Sequence, residues 1–121
     1  MSVAVLIGAG LVGGLGAIAR FLVDGAVAER LGRDFPYGTL AVNLTGSFAL
    51  GVLVGAAVAP DVLRLAGTGF IGAYTTFSTW ALETHRLGED GRARHGALNL
   101  LVSLMLGVAL AWAGRGLGGA L

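Results

Sequence analysis

The sequence has no cysteine and no lysine, only two prolines, and charge on just 12% of its 121 residues. The missing cysteines exclude disulfides, thiolate chemistry and cysteine-held metals. Arginine supplies all eight basic residues against seven acids, so a net charge of +1 leaves no basic surplus for a nucleic acid and no acidic tail for a cationic partner. Two prolines beside 22 glycines, without a three-residue repeat, exclude a collagen-like chain. No nucleophile–base pair or phosphate loop appears, and the glycine clusters lack the strand context of a dinucleotide fingerprint, so the chain is not read as an enzyme. Soluble domains carry charge on roughly 25% of their residues. A chain with half that charge, 55% hydrophobic residues and a mean hydropathy of +0.82 reads as a membrane protein.

What is present is long apolar sequence. Four uncharged windows run from Ser2 to Ala19, Phe35 to Pro60, Leu65 to Leu82 and Gly96 to Gly114, spanning 18, 26, 18 and 19 residues. A hydrocarbon core of about 30 Å needs around 20 apolar residues in a helix, and flanking Arg20, Glu83, Arg94 and Arg115 can snorkel to complete the shorter spans. The first window lacks the basic start and cleavage site of a signal peptide and reads as a span. The expectation is an all-α polytopic membrane protein, a single domain over residues 1–121 with four transmembrane helices near 2–26, 38–60, 63–86 and 94–118. The short polar breaks leave no room for a soluble domain.

Small and polar residues recur at helical spacing inside these windows. In the first, Gly10 and Gly14, and Ala9, Gly13 and Ala17, make a flat face on which another helix can pack. Arg20 either snorkels to headgroups or faces a water-filled vestibule that attracts anions, and Asp24, four residues on, is positioned to pair with it. In the second, Thr39, Asn43, Ser47, Gly51 and Gly55 form one stripe along a single helix face. Asn43 needs a partner in a membrane, and its stripe leaves an interhelical hydrogen bond and a ligand contact equally open. In the fourth, Asn99, Ser103 and Gly107 share a face. His85 and His95 read as loop residues, since two histidines make a weak metal site.

The third window holds the costliest stretch, Gly69 to Glu83, reading G-F-I-G-A-Y-T-T-F-S-T-W-A-L-E. Its hydroxyl-rich middle, beside Gly72, predicts a helix broken near Gly72–Thr76, because such backbone is tolerated at membrane depth only where it lines a cavity or packs on protein. Phe77 and Trp80, three apart, lie on one helix face, as core aromatics or as site. Thr76, Ser78 and Thr79 supply hydroxyls able to replace water around a small anion, unless they bond back to carbonyls four residues earlier.

These residues carry a resemblance that covers essentially the whole chain. G-F-x-G-x-x-T-T-F-S-T followed by Glu83, preceded by P-x-G-T-L-x-V-N-x-x-G-S-F from Pro36 and G-A-x-x-R from Gly16, is similar to the Fluc/CrcB family of fluoride channels. The resemblance implies passive fluoride export through two pores of an antiparallel, dual-topology homodimer in the plasma membrane, with a structural sodium ion at its centre. It implies that Asn43 lines the pore, that Phe77 presents its ring edge to the ion, and that the backbone carbonyls of Gly72 and Thr75 hold the sodium. Trp80 stands where a second phenylalanine is usual; its ring offers an electropositive edge and an additional N–H donor, with bulk that narrows the path. Glu83 resembles the acidic residue that follows the motif. Ser103 is the best anion-contacting hydroxyl of the fourth helix, where Asn99 and Gly107 depart from the family's tyrosine and serines.

The loops on one side of the membrane hold Arg30, Arg33, Arg86, Arg92 and Arg94 and the other side only Arg64 and Arg115, five against two. That bias favours one orientation, with the arginine-rich side cytoplasmic. An oppositely biased paralogue forming a heterodimer would reconcile it with antiparallel pairing. The alternative function is a small four-helix multidrug or cation antiporter, which requires a membrane-embedded carboxylate; no Asp or Glu lies inside any window, and Glu83 only borders one.

Overall fold

The computed structural model describes all residues, 1–121, and every regular element is helical. Helix α1 (Val3–Leu31) opens on Ser2, whose side chain accepts from the Val5 N–H at 3.1 Å, and ends at Gly32, where φ is 82°. Positive φ is cheap only for glycine, so this residue turns the chain after a helix that runs beyond residue 26. Helix α2 (Tyr37–Gly55) starts after Pro36 and stops before residue 60, because Ala57 takes φ 52° and Pro60 begins the next element. Helix α6 (Ala93–Gly119) closes the chain.

Between α2 and α6 the chain is helical in pieces. A turn of helix α3 (Pro60–Val62) passes into a π-helix over Leu63–Ile71 and a turn α4 (Gly72–Tyr74). Thr75 and Thr76 are then extended, at φ −82°, ψ 160° and φ −146°, ψ 123°, and helix α5 (Phe77–Glu89) follows. The break anticipated near Gly72–Thr76 is therefore two residues of extended backbone. Wide π-turns are rare and are tolerated where close packing holds them. Here α1 does so: a Cβ at Gly69 would meet the Ala9 carbonyl oxygen at 2.9 Å, and one at Gly13 would meet the Gly69 oxygen at 3.3 Å.

Helices α1, α2 and α6 are each long and apolar enough to cross a membrane. Their outward faces carry Leu11, Phe21, Met105 and Trp112, all exposed by more than two thirds. Lipid, not water, is the solvent that suits such a surface, and the chain is a multi-pass membrane protein. Because lipid tails are as apolar as leucine, packing between helices depends on close contact and not on hydrophobic burial. Helices α2 and α6 achieve it reciprocally. A Cβ on Gly51 or Gly55 would collide with the Ala111 or Arg115 backbone, and one on Gly114 or Gly118 with Phe48 or Val52. Rising numbers meet rising numbers, so α2 and α6 run parallel. The same ordering, Gly8 with Leu65, Gly13 with Gly69 and Gly16 with Phe70, makes the π-segment parallel to α1.

Candidate functional site at the helix break

The break is held open by one side chain. Asn43 on α2 accepts the Thr76 N–H on Oδ1 at 2.8 Å and donates from Nδ2 to the Thr76 carbonyl at 2.9 Å. A carboxamide thus takes the place of a β-strand partner for an extended residue that is buried and has no helical partner. One Nδ2 hydrogen remains uncommitted by these bonds. Gly46, one turn along, lets α2 approach, since a Cβ there would overlap the Thr75 methyl.

Beyond the break the hydroxyls organise α5. Thr76 is its N-cap: Oγ1 accepts from the Thr79 N–H at 3.2 Å, donates to Thr79 Oγ1 at 3.1 Å and lies 3.4 Å from Ser78 Oγ. Thr75 behaves differently, bonding back to the Ile71 carbonyl at 3.0 Å. Of the four hydroxyls, only that of Thr75 is taken up by the preceding helix in the way serine and threonine commonly are.

Two hollows meet at Thr76. The first, about 260 Å³, is lined by Asn43, Ser47, Thr75, Phe77, Trp80 and Ser103, among others. Ser103 Oγ is buried there without any partner in the chain. Phe77 and Trp80 stand edge to face, 5.3 Å between centroids at 69°, and Phe77 is 75% exposed, so the groove is open on that side. The second hollow, about 190 Å³, is lined by Arg20, Thr39, Thr76 and Thr79 with Asp24 at its edge. Arg20 forms no ion pair with Asp24; the chain's ion pair is Asp61–Arg64, and His85 contacts Glu89, both on exposed surface. Asp24 instead packs on Gly38. Arg20 therefore keeps its charge free beside the threonines.

Glu83 lies beyond this second hollow, where it accepts a 2.5 Å hydrogen bond from Thr39 Oγ1. It faces a mouth of about 300 Å³ that also holds Arg33, Arg86 and Arg92 together with Asp24, Asp34 and Asp90. The structure thus brings Asn43, Thr75, Thr76, Phe77, Trp80 and Ser103 around one groove and Arg20, Thr76 and Thr79 around another. Ser78 and Gly72 are exposed and line neither. The amide that a continuous helix would bring to the Gly72 carbonyl is that of Thr76, which is turned onto Asn43.

The indole N–H of Trp80 is not free. It donates to the Asn99 carbonyl on α6 at 3.1 Å, so the additional donor expected from the sequence faces α6. Three contributors were not singled out as site residues: Thr39 as the partner of Glu83, Ser47 in the groove, and Asn99, fully buried against α5. All three sit on the four-residue stripes of α2 and α6, which was the signal available.

A neutral groove of hydroxyls, one carboxamide and aromatic edges, approached past an arginine, can solvate an anion; it offers no cluster of His, Cys, Asp or Glu that could hold a metal. The comparisons with known proteins agree with that chemistry. The protein named "Fluoride-specific ion channel FluC 2" of Mycobacterium tuberculosis (strain ATCC 25618 / H37Rv) is 56% identical over 115 residues, covering 95% of this chain and 91% of the relative. "Fluoride-specific ion channel FluC 1" of Symbiobacterium thermophilum is 45% identical over 115 residues, 90% of this chain and 93% of the relative. "Fluoride-specific ion channel FluC" of Citrifermentans bemidjiense is 45% identical over 109 residues, 86% and 88%. The family model described as "CrcB-like protein, Camphor Resistance (CrcB)" matches residues 7–115, and the chain belongs to that family.

Proposed function

We propose that this chain is a fluoride-specific ion channel and not an enzyme, and that it carries the ion passively across the plasma membrane. The observation that carries the reading is the break at Thr75–Thr76, propped open by Asn43 between two hollows lined by hydroxyls. Fluoride is strongly hydrated, so its path must offer donors in place of water. Arg20 draws the ion toward Thr76 and Thr79. Asn43's remaining Nδ2 hydrogen and the unpartnered Ser103 hydroxyl are available next, along the edges of Phe77 and Trp80, whose C–H rims are electropositive. Ser78, exposed outside both hollows, touches the path only through its 3.4 Å contact with Thr76 Oγ1. Glu83, hydrogen-bonded to Thr39, stands where the path reaches the charged mouth. The membrane potential, about 2.3 kcal/mol per charge per 100 mV, drives the anion out of a negative interior.

The broken unit Pro60–Glu89, third in chain order, brings the crossings to four in this reading. Its π-segment runs parallel to α1, and Asn43–Thr76 and Thr39–Glu83 set α5 antiparallel to α2. The carboxamide and hydroxyls of the groove are ill suited to lipid on the side left open beside Phe77, and a second, antiparallel copy of the chain covers them, giving two pores per dimer. A paralogue of opposite arginine bias is the other candidate for that place. The carbonyl of exposed Gly72, released from helical bonding by the turn of Thr76 onto Asn43, and that of Thr75 in the extended break are neutral oxygens that suit a hard cation such as Na⁺. Together with the partner's pair they would hold it, and the ion would supply positive charge that fastens two broken backbones.

Fluoride efflux from liposomes containing the purified protein, with chloride as control, tests the assignment. Fluoride is expected to leave rapidly and chloride to stay. Equal rates for the two anions, or no flux of either, would sink it.

A further inference from the structure

Trp80 and Asn99 are joined more closely than packing requires. The indole Nε1–H donates to the Asn99 backbone oxygen at 3.1 Å, while Asn99 Nδ2 reaches the Trp80 carbonyl at 3.5 Å and Thr84 Oγ1 at 2.8 Å. Thr84 closes the ring by donating to the same Trp80 carbonyl at 2.9 Å. Gly96, one turn earlier on α6, lets the helices come together, since a Cβ there would meet the Thr84 carbonyl oxygen at 3.1 Å. Asn99 is 0% exposed. Its carboxamide has two donor hydrogens, and Thr84 and the Trp80 carbonyl receive them. The atom left without a partner is Oδ1, an acceptor, which repels an anion. Asn99 is therefore unsuited to contact the ion itself.

We propose that Asn99 is a positioning residue for Trp80: it locks the first turns of α5 onto α6 so that the indole N–H is turned out of the groove and only the C–H edge of the ring lines it. The consequence is a weak, non-trapping anion contact at Trp80. A strong N–H donor at that point would hold fluoride and slow its exit, because conduction needs sites that bind well enough to enter and weakly enough to leave. The proposal rests on the channel reading above, but its first readout does not involve transport.

The test uses the full-length protein with Trp112→Phe, a substitution on the exposed face of α6 that leaves Trp80 as the single tryptophan. The hydrogen-bond-sensitive Raman band of the indole N–H is compared for Asn99, Asn99→Leu and Thr84→Val, the last an isosteric change that removes one anchor of the carboxamide. Both variants are expected to move the band toward that of a weaker or differently bonded N–H. Fluoride efflux is then measured for Asn99→Leu with Trp80 and with Trp80→Phe. Coupled neighbours commonly interact strongly enough to change a rate about tenfold, so flux is expected to fall by roughly that factor with Trp80 and to change less than about twofold with phenylalanine. A band unmoved in both variants overturns the proposal, as does an equal loss of flux in the two backgrounds. A parent that moves its band on mutation yet carries no fluoride would overturn the channel reading and leave the lock standing.

Discussion

Asn43→Ala is the sharpest perturbation of the break. It removes both partners of Thr76, leaving a buried N–H and a buried carbonyl with nothing to bond. Each unsatisfied buried group costs about 1–3 kcal/mol by mutational estimates, so the pair costs about 2–6 kcal/mol. Measured side-chain bonds between membrane helices run lower, averaging about 0.6 kcal/mol, because the unfolded chain in the membrane finds other partners. An extended backbone segment with no helix to rejoin finds fewer, which favours the upper figure; about 2 kcal/mol is the working value. If the open break is the conducting state, that loss corresponds to roughly a 30-fold drop in its population relative to a collapsed one. Fluoride efflux should fall by at least about tenfold, while the folded helix bundle, read as a cooperative melt in detergent, persists because α2 still packs on α6 through Gly51 and Gly55. Asn43→Asp should not rescue flux, since a carboxylate accepts from the Thr76 N–H but cannot donate to the Thr76 carbonyl. Wild-type flux in Asn43→Ala would refute the reasoning and reduce Asn43 to a dispensable interhelical contact.

Ser103→Ala should lower fluoride flux several-fold yet leave thermal stability in detergent unchanged or up to about 1 kcal/mol higher, because the hydroxyl has no partner in the chain to lose. Gly114→Val places a side chain against the Phe48 backbone, and loss of folded protein on a melting curve is expected; a normal melt would show that the α2–α6 approach is not tight. Arg20→Gln should reduce flux most at low ionic strength, and an equal reduction at all salt concentrations would argue against an electrostatic role. Thr39→Val removes the only side-chain hydrogen bond that Glu83 makes, and a change in flux at fixed protein content, read in liposomes, would place that pair on the ion's path; unchanged flux would assign it to holding α2 against α5.

The composition and the uncharged windows sufficed to read a helical membrane chain, because hydrocarbon admits little else for runs so poor in charge. The hydroxyl-rich run beside Gly72 was enough to locate a break in the third unit, since polar side chains there have no stable place on a lipid-facing helix. The four-residue stripes named residues at which the helices meet: Thr39 and Asn99 reach α5, Asn43 reaches the break, and Gly51 and Gly55 face α6. What the sequence left open was how each polar group is used, and that depends on which neighbour stands within hydrogen-bonding distance. Asn43 read equally as glue or ligand contact, and only its two bonds to Thr76 assign it to the backbone with one hydrogen to spare. Arg20 and Asp24, four apart on one helix, satisfied the spacing for an ion pair, yet Asp24 packs on Gly38 of α2 and the arginine stays free. The π-helix was not legible, because its width is set by glycine contacts with α1 and not by any local preference of Leu63–Ile71. Trp80 carries the same lesson: its sequence position promised an additional donor to the groove, and the carbonyl of Asn99, nineteen residues away, takes that donor for α6.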